Sequence, residues 1–173
     1  MIIVRMELLI VRHAVAEERD TFAETGRDDA ERPLTPAGRR EFKRGARGLR
    51  WAAPSIDLLA TSPLTRAVET CDILQKAYRI DRVVRLRELE PEADPAALVR
   101  WLRRQRRRPL VAVVGHEPHL SSLIEHLLTR ARGGFVDLKK GGACLLDLGD
   151  GSRVGSARLR WLLTAAQLRR LRG

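Results

Sequence analysis

Hydrophobic and polar positions along this chain alternate between two rhythms. Glu7 to Val11 is a short apolar run that stops at Arg12-His13 and reads as a buried strand. Ala14 to Pro33 mixes acidic and basic residues around Gly26 without periodicity, a loop of the length that is usually functional or mobile. Thr35-Pro36 supplies an N-cap and a first-turn proline for a helix to about Trp51. Ile56 to Thr61 reads as a second strand. Ser62-Pro63 repeats the cap-then-proline signal ahead of Leu64, Ala67, Val68, Cys71, Leu74 and Tyr78 at helical spacing. Arg82 to Leu86 is a third strand, and Pro95 opens a helix through Leu98, Trp101 and Leu102. Leu110 to Val114 is a continuous apolar run, as in a central parallel strand. Pro118 opens a helix to about Thr129, and Gly133-Gly134 mark a turn. Ala143 to Leu148 and Val154 to Leu162, separated by Gly149-Asp150-Gly151, predict a β-hairpin, and Thr164 to Leu171 a short amphipathic helix.

Strands alternating with helices predict an α/β fold: three layers, with a mostly parallel central sheet flanked by helices and the last hairpin adding antiparallel strands at an edge. The length, 173 residues without repeat, low-complexity block or linker, suits one domain spanning residues 1–173. In such sheets ligands gather beyond the carboxyl ends of the strands. Those ends are followed by Arg12 and His13, by Ser62 and then Arg66, by Glu88 and Glu90, and by Gly115 and His116. Two histidines, two arginines and a carboxylate are thus expected on one rim. Arg66, in the first turn of its helix, can lean back over the helix start, where free N–H groups already favour an anion. Its planar fork suits neighbouring phosphate oxygens.

Composition changes the picture in a few places. Aromatics are 4% of the chain, so the core must be built from Leu, Val, Ile and Ala. The formal net charge is +11, almost all from arginine, with Lys43, Lys76, Lys139 and Lys140 the lysines. That balance fits a polyanionic partner or an arginine-rich surface equally. Cys71 and Cys144 stand apart and form neither a disulfide framework nor a zinc motif, which fits a reducing cytoplasm. Ala14-Val15-Ala16 looks like a signal-cleavage triplet, but Arg5, Glu7, Arg12 and His13 spoil any apolar core before it. No run approaches the roughly 18 apolar residues of a membrane span. Met6 offers an alternative start, since Met1 to Arg5 add little to the pattern.

Four segments stand in a familiar order: Leu9-Ile10-Val11-Arg12-His13, Leu34-Thr35-Pro36-Ala37-Gly38, Ser62-Pro63-Leu64-Thr65-Arg66-Ala67 with Thr70, and Gly115-His116-Glu117-Pro118. Together they resemble the histidine phosphatase superfamily, the phosphoglycerate-mutase-like fold, and in particular its short bacterial protein-phosphohistidine phosphatases. The resemblance spans about Met6 to Thr129 and implies that His13 is the nucleophile, with Arg12, Arg66 and His116 around the transferred phosphoryl group. Phosphoryl transfer asks mainly for positioning and for charge stabilisation of the oxygens. A neutral imidazole is a competent nucleophile, and flanking cations disfavour its protonation. The scheme calls for no metal and no cofactor. Where the family has glycine, this chain has Ala14, which is tolerable if the backbone there is ordinary. For the general acid, Glu88 is the positional candidate and Glu90 the second.

Each feature also has a plainer interpretation. Ser62 is a helix cap that can also touch phosphate. His119 and His126 fall on the helix after His116 as surface or packing residues; a zinc site from His116, His119 and His126 lacks H-E-x-x-H spacing and a nearby cysteine. The run Arg103 to Arg108 lies at the edge opposite His13, either as a solvated face or as a docking surface for an acidic partner. In the long loop, Arg19, Arg27 and Arg32 mix with Asp20, Asp28, Asp29 and Glu31 and shape access to the site. Three functions compete. The first is a phosphatase of protein phosphohistidine. The second is a phosphatase of small phosphoanhydrides or phosphoesters, such as short polyphosphate or nucleotides. The third is a basic nucleic-acid-binding module, which no helix-turn-helix, stacking platform or zinc finger supports. Mutase chemistry would require shielding the intermediate from water.

Overall fold

The computed structural model describes residues 5–131, 133–150 and 153–171. Its strands are β1 (Glu7–Arg12), β2 (Leu58–Thr61), β3 (Val83–Arg85), β4 (Leu110–Gly115), β5 (Ala143–Asp147) and β6 (Arg158–Leu163). Its helices are α1 (Arg19–Ala23), α2 (Pro36–Ala52), α3 (Thr65–Tyr78), α4 (Pro95–Arg104), α5 (His119–Thr129) and α6 (Ala165–Arg170). The six strands form one sheet in the order β3-β2-β4-β1-β5-β6. The first four are mutually parallel, and β5 and β6 run antiparallel at one edge.

Period-two alternation builds the three layers. Leu9 and Val11 of β1, with Ala112 and Val114 of β4, face Phe42, Leu49, Leu74 and Leu168 on α2, α3 and α6. Leu8 and Ile10, with Val111 and Val113, face Leu98, Leu102, Leu123 and Ile124 on α4 and α5. A strand covered on both sides must be apolar throughout, which is why β4 shows no polar position. Cys71 and Cys144 are buried free thiols within these layers, both pushed up to about 12 by burial.

Several expectations shift. The 14–33 segment contains α1, a 3-10 turn at Asp29–Glu31 and a bridge from Ala16 to Leu34. Helix α3 starts at Thr65 with Leu64 as its cap residue, so Ser62-Pro63 is not its cap and first turn. The Ser62 hydroxyl accepts instead from the Leu64 amide at 3.3 Å and meets a histidine across the sheet. Strands β2, β3 and β6 begin later than their apolar runs. Gly151 of the expected hairpin turn, and Met1 to Val4, lie outside the described residues. Helix α6 carries a full capping box between Thr164 and Gln167.

Arg12 pairs with Gly115 and Thr61 with Val114, so β1, β2 and β4 all end at the same rim. Gly38, in the first turn of α2, lets that helix lie against the loop after β1: a Cβ there would stand 2.2 Å from the Val15 carbonyl oxygen. Thr35 seals the contact, its amide donating to Val15 O at 3.0 Å and its hydroxyl capping Gly38 N at 2.9 Å. Gly38→Ala should therefore force α2 off this loop and cost about 1–3 kcal/mol, the usual range for overpacking. Urea unfolding measures it, and an unchanged midpoint would contradict the close approach.

Candidate active site

The rim expected from the sequence is assembled. His13 and His116 approach with ring centroids 5.1 Å apart, tilted by 51°. Backbone pairing places His13, whose N donates to Gly115 O at 3.0 Å, and Ser62, whose N donates to Val114 O at 3.0 Å, while His116 directly follows β4. Arg66 lies on the first turn of α3 with a buried side chain. A relay ties that turn to the loop after β1: the Ala14 amide donates to Thr70 Oγ1 at 3.0 Å, and the Thr70 hydroxyl donates to Arg66 O at 2.7 Å. Ala14 itself has an ordinary negative φ, so its methyl group is accommodated.

The hydrogen bonds specify the imidazoles. His13 Nδ1 lies 2.7 Å from Ala14 O, a carbonyl that can only accept. Nδ1 therefore carries the proton and Nε2 keeps its lone pair. His116 Nε2 is 2.9 Å from Ser62 Oγ, which already accepts from Leu64 N. All three groups are satisfied when the Ser62 hydroxyl donates to Nε2, leaving the His116 proton on Nδ1. That Nδ1, with Arg12 Nε and Arg66 Nε, is buried without a hydrogen-bond partner among the described residues. Buried polar atoms of this kind are uncommon in folded proteins, and these three, on residues whose charges act on one another, form a donor set suited to an oxyanion.

Guanidinium groups surround the pair. Arg12 is anchored by Nη1 to Leu138 O at 2.9 Å. Arg66 Nη1 donates to Asp29 O at 3.0 Å and meets Asp29 Oδ2 at 3.2 Å. Arg32, also buried, donates from Nε to Asp29 Oδ1 at 2.7 Å and from Nη1 to Glu17 O at 2.7 Å. Arg19 reaches the same carboxylate at 3.6 Å. Burial works against the Asp29 charge, but the Arg32 hydrogen bond and the charges of Arg66, Arg32 and Arg19 outweigh it and hold the carboxyl below its usual range. Burial pushes His13 down to about 3, opposed by the Ala14 hydrogen bond and aided by Arg66, Arg12 and Arg32. Burial pushes His116 down to about 2, with His13 and Arg66 acting in the same direction. Both rings are neutral through the physiological range.

Glu88 follows β3 on a 3-10 turn, Arg87–Leu89, at the same rim, because Leu86 N donates to Thr61 O at 2.9 Å. It is half-buried and makes no hydrogen bond or ion pair among the described residues, and Glu90 is half-buried at the end of that turn. Glu117, not singled out from the sequence, is a further half-buried carboxylate beside His116; burial raises its carboxyl despite a hydrogen bond from Ser121 N and the facing Arg12. Asp29 and Arg32 are, in the sequence, only two charges among many in a loop. Their one sequence signal is proximity to Pro33-Leu34-Thr35. His119 is buried, pushed down to about 4 by burial with Asp94 opposing, and both its ring nitrogens lack a hydrogen-bond partner among the described residues. The described residues contain no cluster of three or more metal-ligating side chains and no helix long and apolar enough to cross a membrane.

The lowered histidines set a pH dependence of stability. Above about pH 6.5 His13, His116 and His119 are neutral whether the chain is folded or unfolded, and they add no pH dependence. Below it the unfolded chain takes up protons that the folded chain refuses until its own depressed pKa values are reached, so stability falls with falling pH. Each such histidine contributes up to about 1.4 kcal/mol per pH unit. Calorimetry should give a flat Tm from pH 7 to 8 and a decline from 6.5 to 5, less steep in His119→Leu. A Tm independent of pH over that span would contradict burial in the neutral form.

The sequence model of the histidine phosphatase superfamily, branch 1, matches residues 8–93. An uncharacterized protein of Picosynechococcus sp. (strain ATCC 27264 / PCC 7002 / PR-6) is 32% identical over 157 residues, covering 90% of this chain and 89% of that protein. Among solved structures, the protein histidine phosphatase SixA complexed with tungstate superposes with a TM-score of 0.79 at 22% identity, covering 94% of this chain and 99% of its own. The alpha-ribazole phosphatase from Shigella flexneri gives 0.71 at 17% identity, with 92% and 97% covered. At these identities the two structures establish a shared fold. With the matched motif segments, the conclusion is that this chain belongs to the histidine phosphatase superfamily, branch 1.

Proposed function

We propose that the chain is a phosphatase that takes a phosphoryl group onto His13 Nε2 and passes it to water, with protein phosphohistidine as its substrate. The observation that carries this is the pairing of His13 Nδ1 with Ala14 O, which leaves Nε2 unprotonated on a ring that feels the charges of Arg66, Arg12 and Arg32. In the first step the Nε2 lone pair forms the N–P bond, while the P–N bond to the substrate imidazole breaks and its electron pair leaves with that ring. The Nδ1 proton, held on Ala14 O, steadies the positive charge that develops on His13. In the second step water attacks phosphorus, the P–Nε2 bond breaks, and the proton lost by water goes to a nearby base. Arg12, Arg66 and the His116 Nδ1 proton stabilise the equatorial oxygens, where charge accumulates. Ser62 acts through His116 by fixing its tautomer.

Two further points support protein phosphohistidine. A protonated imidazole leaves readily, so a site whose Glu88 stands outside the ion-pair network is adequate. The segment between β1 and α2 carries only a five-residue helix and a 3-10 turn, without a large insertion beside the rim, which suits a bulky substrate. The structural neighbour SixA is named a protein histidine phosphatase. A second reading, a phosphatase of small phosphoesters or phosphoanhydrides at the same site, draws on the alpha-ribazole phosphatase neighbour and the basic charge balance.

Phosphate release from a phosphohistidine peptide, tripolyphosphate and a sugar phosphate, compared by kcat/KM, separates the two. His13→Ala should lose at least ~1,000-fold on every substrate that turns over, and Arg66→Ala about 100-fold in kcat. Labelled phosphate should be trapped on His13 only under alkaline work-up, because phosphohistidine is acid-labile. Full activity in His13→Ala would end the proposal, and a clear preference for tripolyphosphate or the sugar phosphate would favour the second reading. Glu88→Gln refines it: as the general acid it should slow the sugar phosphate by ~100-fold or more and leave phosphohistidine nearly unchanged. Equal effects on both would remove Glu88 from that role.

A further inference from the structure

A sizeable cleft lies away from the histidines. It lies between α2 and α3 and encloses about 840 Å³. Its walls carry Arg39, Lys43, Arg47 and Arg50 from α2, Lys76 from α3 and Arg79 just beyond the end of α3. Glu69 and Asp72 are the acidic residues there, and Glu69 is already committed, to Arg39 and to the Leu34 amide. The other five cations are exposed and form no ion pair among the described residues. Outside the cleft, Arg5, Arg27, Arg160 and Arg169 each meet a carboxylate, whereas Arg40, Arg44 and the arginines of the 103–108 run form no ion pair among the described residues.

The cleft is more than a basic surface. Its floor is formed by the buried Ala46 and Ile73 with the half-buried Ala77, and Trp51, with 59% of its surface exposed, supplies the main apolar surface on its wall. The α2 residues recur at positions 39, 43, 46, 47 and 50, a single helical face extending about 16 Å, three turns of helix. An apolar strip flanked by unpaired cations between two helices is the complement of an amphipathic helix with acidic flanks. A nucleic-acid backbone would match the charge but leave the apolar strip and the indole unused. Arg103 to Arg108 is as basic but lines no cleft of comparable size. Both α2 and α3 start at the catalytic rim, and the Arg39 end of the cleft is joined through Glu69 to Leu34, two residues beyond Arg32.

We propose that the α2–α3 cleft is the docking groove for an acidic amphipathic helix of the phosphorylated protein substrate. The kinetic consequence rests on the phosphatase reading given above; the binding itself does not. The groove lies outside the phosphoryl pocket, so it contributes to recognition of the protein and leaves small substrates unaffected.

The test uses the full chain and a designed helical peptide with apolar residues at i, i+3, i+4 and i+7 and Glu or Asp elsewhere. A scrambled peptide of equal composition and a duplex oligonucleotide serve as comparisons. Trp51 emission, isolated by subtraction of Trp51→Phe, reports binding at 150 mM salt. The helical peptide should shift it, the scrambled peptide should bind at least about tenfold more weakly, and Lys43→Glu with Arg47→Glu should weaken the helical peptide about tenfold. Equal binding of both peptides, or tighter binding of the oligonucleotide, would overturn the proposal. With a phosphohistidine placed after the helix, the double variant should raise KM for the peptide about tenfold and leave kcat and turnover of the small substrate phosphoramidate unchanged. A parallel loss on phosphoramidate would also overturn it. If wild type binds the peptide but hydrolyses neither substrate, the catalytic reading fails and the groove stands.

Discussion

The structure depends on holding three guanidinium groups, the buried Arg32 and Arg66 and the half-buried Arg12, around two imidazoles. Buried charge is costly unless paired and hydrogen-bonded. The solution is dispersed: Arg12 is held by a carbonyl of the 133–138 segment, Arg32 by Glu17 O, and Arg66 and Arg32 together by Asp29. These acceptors come from two loops far apart in sequence, so each loop must itself be pinned. Glu125 does this for one, its buried carboxylate accepting from the amides of Gly133, Gly134 and Val136 at 2.8 to 3.0 Å. The 3-10 turn capped by Asp28 does it for the other, its Ala30 amide donating to Asp28 Oδ1 at 2.8 Å.

The same constraint fixes the protonation of the histidines. An imidazolium added to this cluster would be a further buried positive charge without a counter-ion, so the neutral form is imposed on both rings. Which nitrogen keeps the lone pair is then decided by the smallest local contact, a carbonyl one residue away for His13 and a hydroxyl across the sheet for His116. Electrostatics makes the rings nucleophile-competent, and hydrogen bonding makes them directional. Neither effect alone specifies a site. A neutral histidine without the Ala14 contact would offer either nitrogen, and a directed histidine in water would be partly protonated near neutral pH.

The reach of sequence follows from this division. Arg12, His13, Arg66 and His116 were legible because each sits just after a strand or at a helix start, and parallel strands deliver their ends to one rim. The two-sided burial of β4 was legible for a related reason: a short apolar run without alternation is what a strand covered on both faces requires. Asp29, Arg32, Glu125 and the Leu138 carbonyl were not, because their partners lie 3 to 126 residues away and depend on how the loops close. Ser62 shows how a local rule is overridden. Serine before proline signals a cap, but its hydroxyl is engaged by His116, and the helix begins three residues later, at Thr65. Strands β2 and β3 begin later than their apolar runs because only the residues that register with a neighbour extend the ladder.

A pocket of this kind recognises little beyond a tetrahedral oxyanion. On the proposed reading, arginine forks and an imidazole N–H would meet equatorial oxygens, which phosphoesters, phosphoanhydrides and phosphohistidine share. Discrimination must therefore come from what surrounds the pocket or from the leaving group's own chemistry. This is consistent with one fold having neighbours named a protein histidine phosphatase and an alpha-ribazole phosphatase. In this chain the surroundings that can discriminate are the loop bearing Asp29 and Arg32 and the faces of α2 and α3. Loop and cleft are joined through Leu34 and Glu69, so a partner seated between the two helices would meet the loop that holds Arg66. Charge alone would draw many polyanions to a protein of net charge +11. Selectivity requires a feature they do not share, and the apolar strip between the cations is such a feature.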